Sequence, residues 1–181
     1  MDVTQKLMNE HKLIIEYLHF IQTIVRLEDT SRRDRFIEQY GNRITDFIQN
    51  FADKYHHAKE ENILFRYMSA PHVLTHCNPL QQMLSEHSQG REFVAGMSRS
   101  LNEKNFPLFC ENALAYAILL NEHIFKEDNV LYPMAENGLT PTEKKSVNEE
   151  YEMIEMKFNE KYDLSAFYKE MLQGLKNMLP K

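Results

Sequence analysis

The stretch His56-His57-Ala58-Lys59-Glu60-Glu61-Asn62-Ile63-Leu64-Phe65 returns, almost letter for letter, as His123-Ile124-Phe125-Lys126-Glu127-Asp128-Asn129-Val130-Leu131-Tyr132. Both copies read His-x-x-Lys-Glu-acid-Asn-β-branched-Leu-aromatic. In each, a His and a Glu stand four residues apart, which on a helix stacks them on one face, one turn apart. Such a pair is half of a metal site. Two helices presenting it face to face make most of one.

Outward from these blocks the chain reads as helices. Residues 3–28 carry Leu7, His11, Ile14, Leu18, Ile21 and Val25 at alternating steps of four and three, a seam whose one polar member is His11. Asp29-Thr30-Ser31 ends that helix and caps a second, about Arg32 to Met68, with Tyr40, Ile44, Ile48, Ala52, His56, Glu60, Ile63 and Tyr67 facing inward. His57 and Glu61 are rotated by roughly 100° from that line. Ser69-Ala70-Pro71 breaks the second helix. A third, about Leu80 to Glu103, has the seam Leu80, Met83, His87, Gly90, Val94, Met97 and Leu101. Gly90 on that line reads as close helix packing or as room beside His87. Asn105-Phe106-Pro107 starts a fourth helix, to about Glu136, with the seam Ala113, Tyr116, Leu120, His123, Glu127, Val130 and Met134; Asn137-Gly138 is its expected C-cap. Thr140-Pro141-Thr142-Glu143 is a capping box opening a fifth helix with Val147, Tyr151, Ile154 and Phe158, and Asp163 caps a sixth with Phe167, Met171, Leu175 and Leu179. The expected fold is all-α: an up-down-up-down four-helix bundle over 1–138, with two additional C-terminal helices (139–181) packed on the bundle or at a homodimer interface.

Composition agrees. The 181 residues suffice for one domain with a substantial core, and scarce Gly (5) and Pro (6) favour long helices. A net charge of −6 with no basic run argues against nucleic acid or an anionic membrane as partner. The longest apolar run, about Ala113 to Leu120, is far too short to span a bilayer. Met1-Asp2-Val3-Thr4 has no export signal, and Cys77 and Cys110 make no disulfide framework; the expectation is two reduced thiols in a cytoplasm.

The inward seams therefore hold His11, His56, Glu60, His87, His123 and Glu127, on four helices. Any one histidine alone reads as a hydrogen-bonded core residue. Together, two buried carboxylates with no Lys or Arg on their seams demand a compensating cation. Two divalent ions bring about +4, against −2 from the Glu pair and −1 to −2 from a bridging oxide or hydroxide, so the cluster approaches neutrality. If both Glu bridge, each ion receives two His nitrogens and keeps one octahedral place open. Imidazole and carboxylate donors suit iron, manganese or zinc. Iron is the expectation, because an open place beside a redox metal in an apolar pocket invites a diatomic ligand.

The run Glu-His, His-x3-Glu-Glu-x-x-Leu-Phe, Glu-His, His-x3-Glu-x-x-x-Leu-aromatic-Pro resembles the hemerythrin-like (HHE cation-binding) domains over about residues 4–136. The resemblance implies a non-haem di-iron centre in a four-helix bundle. By matching positions its ligands are His11, His56, Glu60, His87, His123 and Glu127. The oxygen-carrier hemerythrins have a second His one turn along the third helix, where this chain has Arg91 or Met83. They also carry an Asp where this chain has Glu127. One His fewer implies a more symmetrical pair of irons. The pattern looks closer to bacterial hemerythrin-like proteins linked to nitric oxide and iron-centre repair, whose additional cysteine-bearing domain is not in this sequence.

Alignment of the two blocks assigns His56 rather than His57, leaving His57 and Glu61 as a solvated or outer pair. His19, His72 and His76 have no seam partner and read as surface or loop. Tyr116, two turns before His123, reads as a core tyrosine or as a hydroxyl near the open place. The expected function is a di-iron protein binding oxygen or nitric oxide as carrier, store or sensor. The alternatives are a di-iron oxidoreductase consuming peroxide or nitric oxide with an unidentified redox partner, a protein supporting iron-centre repair, or a metal-free partner-binding bundle.

Overall fold

The computed structural model describes residues 2–160 and 162–179; positions 161, 180 and 181 of the expected C-terminal hairpin lie outside it. Among the described residues six helices account for the architecture and no strand occurs. Helix α1 is Gln5–Val25. Helix α2 begins at Thr30–Phe47, widens into π-helical turns over Ile48–His57 and Glu60–Leu64, and ends as Phe65–Met68. Helix α3 is Leu80–Asn102. Helix α4 begins at Phe106–Lys126, takes a π-helical turn over Glu127–Leu131, and ends as Tyr132–Gly138. Helices α5 and α6 are Pro141–Phe158 and Leu164–Asn177.

Local chemistry sets the boundaries. Asp29 accepts a hydrogen bond from the Arg32 amide at 3.0 Å, Asn105 from Leu108 at 3.2 Å and Asp163 from Ala166 at 2.9 Å. At α5 the capping box is reciprocal: the Glu143 amide donates to the Thr140 hydroxyl, and the Thr140 amide donates to the Glu143 carboxylate. The end of α4 departs from expectation. No described residue at Asn137-Gly138 takes a positive φ, so this is not a left-handed cap. Gly138 instead makes room for the α2–α3 connection, since a Cβ there would lie 2.6 Å from Val73 Cγ1 and 3.0 Å from the Val73 carbonyl oxygen.

Helices α1 to α4 form the bundle, with α3 along α4, α1 against α4, α2 against α3 and α1 against α2. Helices α5 and α6 lie over the α1 and α2 side. Their hold is specific: Val147 and Tyr151 are fully buried, and the Tyr17 hydroxyl donates to the Tyr168 carbonyl at 2.9 Å. On helix α6 the expected seam holds at Leu175 and half-holds at Met171 and Leu179, but fails at Phe167. Leu164, Tyr168, Leu172 and Leu175 go inward, while Phe167 is exposed.

The π turns produce a displacement. A helix with i→i+5 hydrogen bonds uses an extra residue per turn, so the inward line slips by one position. After Glu127 the inward line runs through Leu131 and Ala135, with Tyr132 also buried, and Val130, expected inward, is 48% exposed. After Glu60, Ile63 is buried as expected, but the line also takes in Leu64 and Met68, with Tyr67 only half-buried. The apolar interior is in two parts. One is built on Ile14, Phe47, Phe51, Met97, Phe109 and Leu120, the other on Leu7, Leu64, Met83, Tyr132 and Tyr151. In sequence, the His and Glu of the seams fall between them on α1, α2 and α3, and on α4 Glu127 does, while His123 sits among the last residues of the first part.

Candidate metal centre

All six seam residues are buried: Glu60 and Glu127 are completely inaccessible, and His11, His56, His87 and His123 are at most 2% exposed. They meet across the bundle. The Nε2 atoms of His11 and His56 lie 2.9 Å apart, and those of His87 and His123 lie 2.8 Å apart. Between the two pairs stand the carboxylates. Glu60 Oε2 is 3.6 Å from both His56 Nε2 and His87 Nε2. Glu127 reaches His123 Nε2 with one oxygen at 3.0 Å and His11 Nε2 with the other at 3.4 Å. Each carboxylate thus lies within 3.6 Å of a histidine of both pairs.

Two clusters with metal-ligand spacing result, sharing Glu60. One is His11, His56, Glu60 and Glu127; the other is His57, Glu60, His87 and His123. For His57 the solvated half of the expectation fails. The residue is 5% exposed rather than solvated, and its ring stacks on His87 with centroids 3.9 Å apart. The π-helical turn ending at His57 explains this, because it widens the inward face enough to hold two consecutive residues. No α-helical spacing in the sequence signals it. The second copy carries Ile124 there, so the internal two-fold pattern breaks at this position.

Every outer nitrogen of the four seam histidines has a carboxylate. Nδ1 of His56 pairs with Glu10 at 2.8 Å, and that of His123 with Glu86 at 2.7 Å. Nδ1 of His87 pairs with Glu61 at 2.7 Å, and that of His11 with Asp128 at 2.8 Å. Lys59 and Lys126 close onto Glu10 and Glu86. The charged letters of the repeated block take the same roles in both copies. The His and Glu face inward, the Lys holds the acid preceding a seam His on the neighbouring helix, and the block's own acid orients another. Lys59 escaped the sequence reading: it is fully buried, with its ammonium 3.9 Å from the centre of the Tyr55 ring. It neutralises Glu10 rather than the inner Glu pair. The closing aromatics flank the centre. Phe65 lies parallel to His87, Tyr132 lies parallel to His11, and the Tyr132 hydroxyl donates to Glu60 Oε1 at 2.6 Å.

The electrostatics show a site that asks for cations. Burial raises Glu60 well above the ordinary carboxylate range, and the Glu127 charge beside it adds to the shift. Burial acts the same way on Glu127, but His123 and His11 outweigh it and hold that group well below its usual value. For His11, the Asp128 and Glu127 carboxylates overcome burial and raise it to about 9. Burial and the neighbouring His11 push His56 well down, and burial with His87 does the same to His57. Glu60 Oε2 and both Glu127 oxygens remain without an aligned hydrogen bond among the described residues. Such orphaned buried oxygens fit metal ions. So do the paired imidazoles: two nitrogens about 2.1 Å from one ion, at a right angle, stand about 3 Å apart.

His72 is exposed and meets Glu143 at 3.2 Å, and His19 and His76 are exposed. Tyr116 is buried with its hydroxyl unpartnered among the described residues. Cys77 is exposed and Cys110 buried, both free thiols.

Comparison with family models finds a match to the hemerythrin HHE cation-binding domain over residues 2–135. The chain belongs to this family. Comparison with curated proteins and with solved structures gives no match. In this HHE domain the matched region contains α1 to α3 and α4 as far as Ala135, and hence both clusters. No helix of the described residues is long and apolar enough to cross a membrane.

Proposed function

We propose that this HHE domain binds two non-haem irons, which the buried His and Glu of the seams, with Glu60 and Glu127 between the histidine pairs, would hold, and that it takes up a small diatomic ligand, oxygen or nitric oxide, as carrier, store or sensor. The observation carrying this reading is the pair of clusters sharing one fully buried carboxylate, with three inner carboxylate oxygens lacking aligned partners. His11 and His56 would hold the first ion, and His57, His87 and His123 the second. The centre is therefore richer in nitrogen on one side than the six-residue set implied. Iron supplies redox chemistry and a place for a diatomic molecule; zinc or manganese suits the same donors.

The chain's own residues do the rest. Glu10, Glu61, Glu86 and Asp128 fix each imidazole with its inner nitrogen free to bind and its outer nitrogen donating. Tyr132 holds Glu60 by one oxygen and leaves the other toward both histidine pairs. Apolar clusters pack on either side of the centre. A second reading, an oxidoreductase consuming peroxide or nitric oxide, draws on the unpartnered Tyr116 hydroxyl at a cavity lined by His57 and His87. A cytoplasmic setting and a homodimer through α5 and α6 belong to the same proposal.

Metal quantitation joined to a visible spectrum under argon, then air, then nitric oxide tests it. Close to two irons per chain and a reversible new band on ligand exposure are expected. Fewer than one ion per chain from iron-supplied cells overturns the proposal. Repeated turnover with a reductant present would select the enzyme reading instead.

A further inference from the structure

On the His57 side of the centre, α2, α3 and α4 leave a cavity of about 280 Å³. His57 and His87 form one wall, and Ile48, Val94, Leu120 and Tyr116 supply much of the rest. It opens past Gln49, Arg91 and Ala95, which are exposed. Two features point to an occupant. Tyr116 is 2% exposed, and its hydroxyl has no hydrogen-bond partner among the described residues. A buried donor left unpaired is costly unless a ligand or water accepts from it. Gly90 is the second feature. A Cβ there would meet Tyr116 Cε2 at 3.5 Å and Cδ2 at 3.8 Å, ordinary contacts, so helix packing does not demand glycine. Its missing side chain leaves space in the cavity wall.

Size and charge narrow the class of occupant. A diatomic needs about one water's share of volume, roughly 30 Å³, whereas an apolar cavity of about 150 Å³ accepts a benzene ring. The space here is nearly twice the latter. Asp53 and Glu86 line it, and Arg91 is already engaged by Asp53 at 2.8 Å and Glu61 at 2.6 Å, which disfavours an anion. We propose that this cavity binds an uncharged, mainly apolar molecule of one or two aromatic rings, whose single oxygen acceptor receives the Tyr116 hydroxyl. The proposal stands on the cavity itself and does not require the metals.

Acetophenone, one ring with a carbonyl, is the probe, and benzoate its charged counterpart. Both are titrated calorimetrically into the full chain, with metal content measured on each sample. Saturable one-to-one binding of acetophenone and none of benzoate is expected. Tyr116→Phe keeps the ring and should weaken acetophenone binding about threefold to tenfold, the worth of one hydrogen bond. Gly90→Leu fills the cavity and should abolish binding. Gly90→Ala adds only a methyl, has a better helix former and should lower affinity in a folded chain, so it decides the matter if the leucine variant misfolds. Absence of acetophenone binding, equal binding of benzoate, or unchanged affinity in Tyr116→Phe and the folded Gly90 variants overturns the proposal. Protein that leaves iron-supplied cells without metal and still binds acetophenone would count against the iron reading alone. Iron-loaded protein that does not bind it would count against this inference alone.

Discussion

His57 shows how a single side chain sets the character of the centre. It gives the second cluster a third imidazole where the repeat has Ile124. Replacing His57 with Ile is expected to leave the ion at His11 and His56 in place and to weaken the other by at least about tenfold, as read by chelator competition. Equal loss of both ions would contradict that assignment. The outer carboxylates have a matching test. Asp128→Asn loosens His11 and Glu61→Gln loosens His87, so each should cost about 10- to 100-fold in affinity at its own ion. His11 also ties stability to pH when no metal is bound. Its folded value of about 9 lies above the ordinary 6.5, so protonation stabilises the fold fully below about 6.5. That contribution, on the order of 3 kcal/mol, is lost as pH rises through about 9. Thermal melts of metal-free protein between pH 6.5 and 9.5 should show the decline, and His11→Gln should flatten it.

At the scale of elements, the helices and their caps were legible because they rest on local chemistry. Asp29, Thr140 and Asp163 cap where their side chains reach the next turn's amides, and such contacts are written in neighbouring letters. The inner His and Glu were legible because polar residues on an apolar seam need a reason. The π turns were not, since the four-and-three rhythm assumes α geometry throughout, and that assumption put Val130 inward and His57 outward. The crossed pairing of Glu10 with His56 and Asp128 with His11 joins different helices, and no spacing along one helix reveals it. Gly138 belongs to this scale too. It lets α4 end against Val73, so Gly138→Ala should force the backbones apart and cost about 1–3 kcal/mol. A melting temperature lowered by several degrees is the expected readout, and an unchanged one would show that the contact is slack.

For the whole molecule, the arrangement resolves a conflict between burial and charge. Two apolar cores enclose carboxylates that neither core can solvate. In the metal-free chain, protons compensate in part, as the raised Glu60 and His11 indicate. Metal loading therefore displaces protons and should raise thermal stability, with affinity falling as the solution is acidified. Proton release on titration with ferrous iron checks this directly. The family match and the shared carboxylate agree that the domain is built to hold cations. The sharpest measurement is anomalous diffraction at the iron edge from crystals of the protein as purified from iron-supplied cells. Two peaks are expected, one among His11, His56, Glu60 and Glu127, the other among His57, Glu60, His87 and His123. No peak inside the bundle, or a single ion that leaves one of these histidine pairs unligated, would contradict the dinuclear account.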